Sequence, residues 1–123
     1  MDHEQHVTEQ IIGCAIEVHK DLGAGLLERP YMLGLCVELA RRGIHFDRER
    51  IIPLEYRGVR IGDYIPDLIV EDKVVVEIKS CLRFEDVFTA QMLTYLRLTK
   101  LRVGLIINFN HRLLRDGIKR VVF

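Results

Sequence analysis

The residues whose types and spacing could do chemistry lie in one short segment, Asp63-Tyr-Ile-Pro-Asp67-Leu-Ile-Val-Glu-Asp-Lys73-Val-Val-Val-Glu77-Ile-Lys79. Two runs rich in Val and Ile flank a charged turn at Glu71, Asp72 and Lys73, which is a hairpin signal. Antiparallel pairing centred on Asp72 sets Val70 opposite Val74, Leu68 opposite Val76 and Asp67 opposite Glu77. Strand side chains alternate between faces, so Lys79 shares the face of Glu77. One face thus carries Asp67, Glu77 and Lys79, while Leu68, Val70, Val74, Val76 and Ile78 line the other.

Opposed residues in such a pair have Cβ atoms about 5 Å apart. Two carboxylates at that separation repel by about 3 kcal/mol at an effective dielectric of about 20. A favourable cross-strand pair contributes only about 0.2–1 kcal/mol. Lys79 relieves part of the repulsion, a shared proton more, and a divalent cation most. Hard oxygen donors converging on one point suit Mg²⁺ or Mn²⁺, with the backbone carbonyl of Ile78 as a further ligand. A metal so held beside an ammonium group can direct water at a phosphodiester. The plainer account of the pattern is a solvated hairpin face with an ordinary ion pair.

The elements that must position these residues are legible from periodicity. Val7, Ile11, Cys14, Ala15, Val18 and Leu22 follow helical spacing up to Gly23. A second helix is expected from about Pro30 to Arg42, with Tyr31, Leu35 and Leu39 on one stripe and Pro30 in the first turn. Strands are expected at Ile51–Arg57, Ile61–Val70 and Val74–Lys79, with a tight Arg57-Gly58 turn between the first two. Phe84 to Thr99 reads as a helix with Phe84, Phe88, Met92 and Tyr95 along one side. Leu101–Phe109 reads as a buried strand and Ile118–Phe123 as an edge strand. Ile69 and Val75 lie on the acidic face, so both faces of the hairpin carry apolar residues. The expected fold class is therefore α/β, a mixed central sheet flanked by helices on both faces.

The 123 residues make one domain, 1–123, and nearly half of them are hydrophobic, so the chain is globular. Lysine plus arginine number 18, as do aspartate plus glutamate. That balance argues against strong nucleic-acid binding by bulk charge. It leaves local basic patches at Arg41-Arg42, at Arg48 and Arg50, at Arg57 and Arg60, and along the tail from His111 to Arg120. Cys14, Cys36 and Cys81 form no CxxC pair, so the expectation is reduced core thiols in a cytoplasmic protein. Met-Asp-His-Glu-Gln-His at the start is polar and lacks the apolar core of a signal peptide. No run is long and apolar enough for a membrane span. His3 and His6 read as solvated.

With this order of elements, the chain resembles the PD-(D/E)XK nuclease superfamily, and more narrowly the small GxxExxY proteins. The narrower motif stands as Gly25-Leu-Leu-Glu28-Arg-Pro-Tyr31, and the superfamily motif as Pro66-Asp67 with Glu77-Ile78-Lys79. Gln91-Met-Leu-Thr-Tyr95 resembles the QxxxY element of the RecB and lambda-exonuclease branch, and the run from Val103 to Phe109 that family's late strand. The resemblance implies a restriction-endonuclease-like core and a Mg²⁺-dependent hydrolase acting on DNA, with RNA as an open substrate. It implies that Asp67 and Glu77 ligate the metal, with the Ile78 carbonyl, and that Glu28 completes the acidic cluster directly or through a water. Lys79 would orient the attacking water, and Gln91 and Tyr95 would hold the cluster or a phosphate. The small size implies a homodimer or a partner protein that supplies targeting. Each helix residue has a plainer account: Glu28 offsets the positive end of its helix, Gln91 is a surface amide, and Tyr31 and Tyr95 are half-buried core residues with hydroxyls reaching water. Pro30 departs from the family pattern and bears on the aim of Glu28. The alternative function is a non-catalytic module that keeps the nuclease fold and binds nucleic acid or protein. A merely structural interaction protein with a solvated acidic pair is a third.

Overall fold

The computed structural model describes residues 3–123. Met1 and Asp2, part of the polar N-terminal stretch, lie outside the described residues. The chain order is α1 (His3–Leu22), α2 (Glu28–Arg41), β1 (Phe46–Arg48), β2 (Ile52–Tyr56), β3 (Val59–Tyr64), β4 (Leu68–Val70), β5 (Val74–Lys79), α3 (Asp86–Thr99), β6 (Val103–Asn108), a 3-10 turn at Leu114–Gly117, and β7 (Ile118–Val122). Five strands form one sheet in the order β1-β4-β5-β6-β7. Only β5 and β6 run parallel, and α3 is the crossover between them, as parallel neighbours require.

The hairpin register is the one its sequence symmetry implies: Leu68 faces Val76, Ile69 faces Val75 and Val70 faces Val74. Leu68, Val70, Val74, Val76 and Ile78 pack with α1 and α2 through Ile11, Cys14, Leu35 and Leu39. Ile69, Val75 and Ile106 pack on the opposite face with Met92 and Leu96 of α3. The sheet is thus buried on both sides, which accounts for strands that are apolar at nearly every position. Gly104 sits opposite Val75 and directly under Met92, where a Cβ would run into the methionine sulfur. Its lack of a side chain lets α3 lie close on the sheet.

Four expectations need correction. The run Ile61–Val70 is not one strand. It breaks at Ile65–Asp67, where buried Pro66 has no N–H to give a ladder. Consequently β2 and β3 pair only with each other, with a bulge at Leu54/Glu55, and the edge beside β4 is taken by the unforeseen β1. The second helix starts at Glu28, two residues before Pro30, which still falls within the first turn and so costs no helical hydrogen bond. Tyr31 is fully buried and stacked on Phe109 at 4.4 Å, not half-exposed. Its hydroxyl donates to the Gly23 carbonyl and accepts from the Leu26 amide at 3.1 Å, so it pins the turn that leads into α2. Cys14 and Cys36 are buried thiols, but Cys81 is only half-buried, in the loop after β5. His3 and His6 are exposed. Among the described residues, no helix is long and apolar enough to cross a membrane.

Candidate active site

The break at Pro66 is what builds the site. It releases Asp67 from the ladder just before β4, so that its carboxylate turns to the neighbouring strand and accepts the Ile78 amide at 2.7 Å. In return the Asp67 amide donates to Glu77 Oε1 at 3.4 Å. The two carboxylates are therefore held side by side across β4 and β5, as the pairing about Asp72 requires. Each has one oxygen engaged by the protein. Among the described residues, neither Asp67 Oδ1 nor Glu77 Oε2 takes a hydrogen bond from a backbone amide or from Tyr64, and the two carboxyl groups lie within hydrogen-bond reach of each other.

A third group secures Glu77. Tyr64, the last residue of β3, donates its hydroxyl to Glu77 Oε1, and its ring stacks on Tyr95 of α3 with centroids 3.3 Å apart. The β2–β3 hairpin, although outside the main sheet, thus folds back over α3 to bring a hydroxyl to the acidic pair. Tyr64 was not singled out from sequence. A tyrosine three positions before the aspartate, facing an aromatic stripe on a later helix, is the available signal, and it has meaning only once the hairpin is known to fold back.

Burial and mutual repulsion set the electrostatics. Glu77 is pushed up to about 7, first by burial and then by the charge of Asp67, against the opposing pull of Tyr64, the Asp67 amide and Lys79. Asp67 is also raised by burial, held back by the Ile78 amide and Lys79. The pair therefore keeps one proton between them near neutrality. Burial and the Glu77 charge raise both Tyr64 and Tyr95, so these phenols stay protonated. The plain account of a solvated face with an ordinary ion pair does not describe this arrangement. Lys79 forms no ion pair with either carboxylate among the described residues. Its Nζ lies 4.5 Å from the centroid of the Phe88 ring, a cation–π contact that parks the ammonium beside the pair.

The remaining sequence-derived residues divide. Glu28 is the first residue of α2, exposed, and lines with Asp67 and Ile78 a cleft of about 200 Å³. Among the described residues no three His, Cys, Asp or Glu side chains converge closely enough to hold an ion, so Glu28 flanks the acidic pair without joining it directly. Tyr95 reaches the site through Tyr64. Gln91, one turn earlier on α3, is exposed and makes no hydrogen bond to the described residues. Ile78 faces the α1–α2 core with its side chain, while its amide points to Asp67. A strand residue's N–H and C=O leave on the same edge, so its carbonyl is directed toward the same cleft. Buried Asn108, at the end of β6, receives the Cys81 amide and donates to the Cys81 carbonyl, both at 3.1 Å. It fixes the chain just beyond Lys79, a role marked in the sequence only by one amide closing an apolar run.

The arrangement thus brings two carboxylates together beside a lysine ammonium, all three within the Asp67 and Glu77-Ile78-Lys79 pattern. No curated protein and no solved structure matches the chain. The family model of the PD-(D/E)XK nuclease superfamily matches residues 5–121, spanning α1 to β7 and both halves of the Asp67 and Glu77-Ile78-Lys79 pattern. The chain belongs to the PD-(D/E)XK nuclease superfamily.

Proposed function

We propose that this protein is a Mg²⁺-dependent nuclease that hydrolyses phosphodiester bonds in DNA, with Mn²⁺ as a competent substitute. The observation that carries the reading is the acidic pair itself: two half-buried carboxylates, held side by side, with no ion pair to balance them among the described residues. Nucleases of this superfamily generally use divalent metal ions. The donor set fits such an ion, since Asp67 Oδ1, Glu77 Oε2 and the Ile78 carbonyl are all hard oxygens. These groups would hold it, with Glu28 contributing through a water from the rim of the cleft. Held by these residues, a divalent ion would supply Lewis-acid activation of water and would offset negative charge on the phosphate.

The chain's own residues supply the rest. Tyr64 and the Asp67 amide fix Glu77 Oε1, so the other carboxylate oxygen keeps its aim. Lys79 orients the attacking water and faces the negative charge that develops on the phosphate oxygens. Phe88 and Tyr95 restrain Lys79 and Tyr64 from the α3 side.

The test is cleavage of labelled single-stranded, duplex and branched DNA by purified protein with Mg²⁺, with Mn²⁺ and with chelator. Metal-dependent cleavage that disappears in Asp67→Asn is the expected result. Folded protein that binds metal at the pair yet cuts none of these substrates would favour a binding module that retains the nuclease fold.

A further inference from the structure

A cleft larger than the one beside the acidic pair lies elsewhere on the molecule. It measures about 830 Å³ and lies between the end of α1 and the segment that follows β6. Its floor is apolar, formed by Ile16, Leu113 and Leu114, and its charged lining residues are all cationic: Lys20, Arg112 and Arg115. In a chain with equal numbers of acidic and basic residues, such one-sidedness is informative. The acidic residues that neighbour its lining in sequence line other pockets. Glu17 and Asp21 line the α1–α2 groove, and Asp116 lines the pocket shared with Phe84 and Lys119. Lys20 has a loose, exposed contact with Glu17 at 3.5 Å, which contributes little. Arg112 and Arg115 are exposed and form no ion pair or hydrogen bond among the described residues.

The wall that presents these arginines is firmly built. Leu114 and Gly117 are buried, and a side chain at Gly117 would collide with the Asn108 carbonyl. His19 of α1 contacts the His111 carbonyl at 2.7 Å, tying the two walls together. A short stretch of chain runs between this cleft and the one at the acidic pair. Gly23 and Ala24 line it, Glu28 lines the cleft at Asp67, and the chain between them is joined to the residue after Lys79 by the Ser80 hydroxyl on the Leu26 carbonyl.

We propose that this cleft is a second nucleic-acid site, which holds the unpaired continuation of the strand being cut. Resting on the nuclease reading, the strand passes from Asp67 and Glu77 over the Gly25–Leu27 turn and into the cleft. Phosphates there meet Lys20, Arg112 and Arg115, while sugar and base faces cover Ile16 and Leu113. A duplex presents its phosphates outward and its bases to each other, so it would leave the apolar floor uncovered. A single strand satisfies both the rim and the floor.

The test measures binding in chelator, so that no strand is cut, using a fluorescein-labelled DNA single strand long enough to span both clefts, the same sequence as a duplex, and a polyglutamate peptide. Arg112→Gln/Arg115→Gln should fold normally, with an unchanged melting temperature, because both residues are exposed. Wild type should prefer the single strand. The double variant should bind it more weakly, and the slope of log affinity against log salt should become shallower by about 1.4, the loss of two single-strand phosphate contacts. On long single-stranded substrate with Mg²⁺, KM should rise in the double variant while kcat holds. Cleavage by wild type with an unchanged salt slope and KM in the double variant would overturn this inference and leave the nuclease reading standing. Single-strand binding with the expected change of slope, but without cleavage by wild type, would retain the site and defeat the nuclease reading. Preferential binding of duplex or of polyglutamate would overturn the single-strand assignment.

Discussion

Glu77 carries a thermodynamic signature that a solvated carboxylate lacks. Its pKa in the folded protein is raised from 4.5 to about 7 by burial and by Asp67, so the folded state binds a proton that the unfolded chain has already released. Stability contributed by this group is present at low pH and is lost as pH rises from about 4.5 to about 7, by at most about 3 kcal/mol. Glu77→Gln mimics the protonated form and cannot lose it. Urea unfolding of the metal-free proteins should therefore show Glu77→Gln gaining on wild type between about pH 5 and about pH 8; a constant difference would mean the carboxyl is not held above its ordinary range. Lys79 calls for a separate measurement, because its ammonium rests on Phe88 and not on the carboxylates. Lys79→Met keeps an unbranched stem of similar bulk, so folding and metal binding should survive. DNA cleavage should fall by about a hundredfold or more, typical of losing one group that faces transition-state charge. Full activity in folded Lys79→Met would assign the water-orienting role to another residue.

At the scale of elements, the site depends on how closely α3 lies on the sheet, because α3 supplies both Phe88 and Tyr95. Gly104 permits that approach under Met92. Gly104→Ala forces the buried methionine aside, and overpacking of this kind costs about 1–3 kcal/mol. A lower melting temperature with reduced cleavage is the expected outcome; unchanged values for both would show that α3 tolerates the shift. The elements differ in how readily the sequence reveals them. Val74–Lys79 was legible to the residue, because alternation and symmetry about Asp72 admit one register. Phe88, Met92 and Tyr95 were legible as a stripe, because a helix writes its buried face into local spacing, whereas Phe84, expected on the same helix, precedes its start at Asp86. Phe46–Arg48 was not, being three residues without an alternating pattern. Separation of Ile61–Tyr64 from Leu68–Val70 was hidden as well, because Ile65 continues the apolar run and only the buried Pro66 signals the break. Asp67 and Glu77 could be paired from register alone, whereas Tyr64 could not be joined to them. Its place depends on a hairpin folding back over a helix that begins more than twenty residues later in the chain. The resting place of Lys79 on Phe88 is likewise a contact between side chains from different elements, which periodicity does not encode.

The whole molecule places its charges unevenly while remaining neutral in sum. An acidic pair sits beneath the hairpin and α3, and a basic cleft lies across the turn before α2. This distribution is compatible with the proposed metal site and strand-binding cleft, and neutrality overall avoids the indiscriminate affinity of a strongly basic domain. We propose that the acidic pair is a metal site whose shared proton the metal displaces. Calorimetric titration of Mn²⁺ into metal-free protein at about pH 6, in two buffers of different ionisation enthalpy, tests it most directly. Saturable binding to wild type with release of close to one proton, weak or absent binding to Asp67→Asn, and binding without proton release in any Glu77→Gln protein that still takes the ion are the expected results. Equal Mn²⁺ affinity in wild type and Asp67→Asn, or binding to wild type with no proton released, would contradict the proposal.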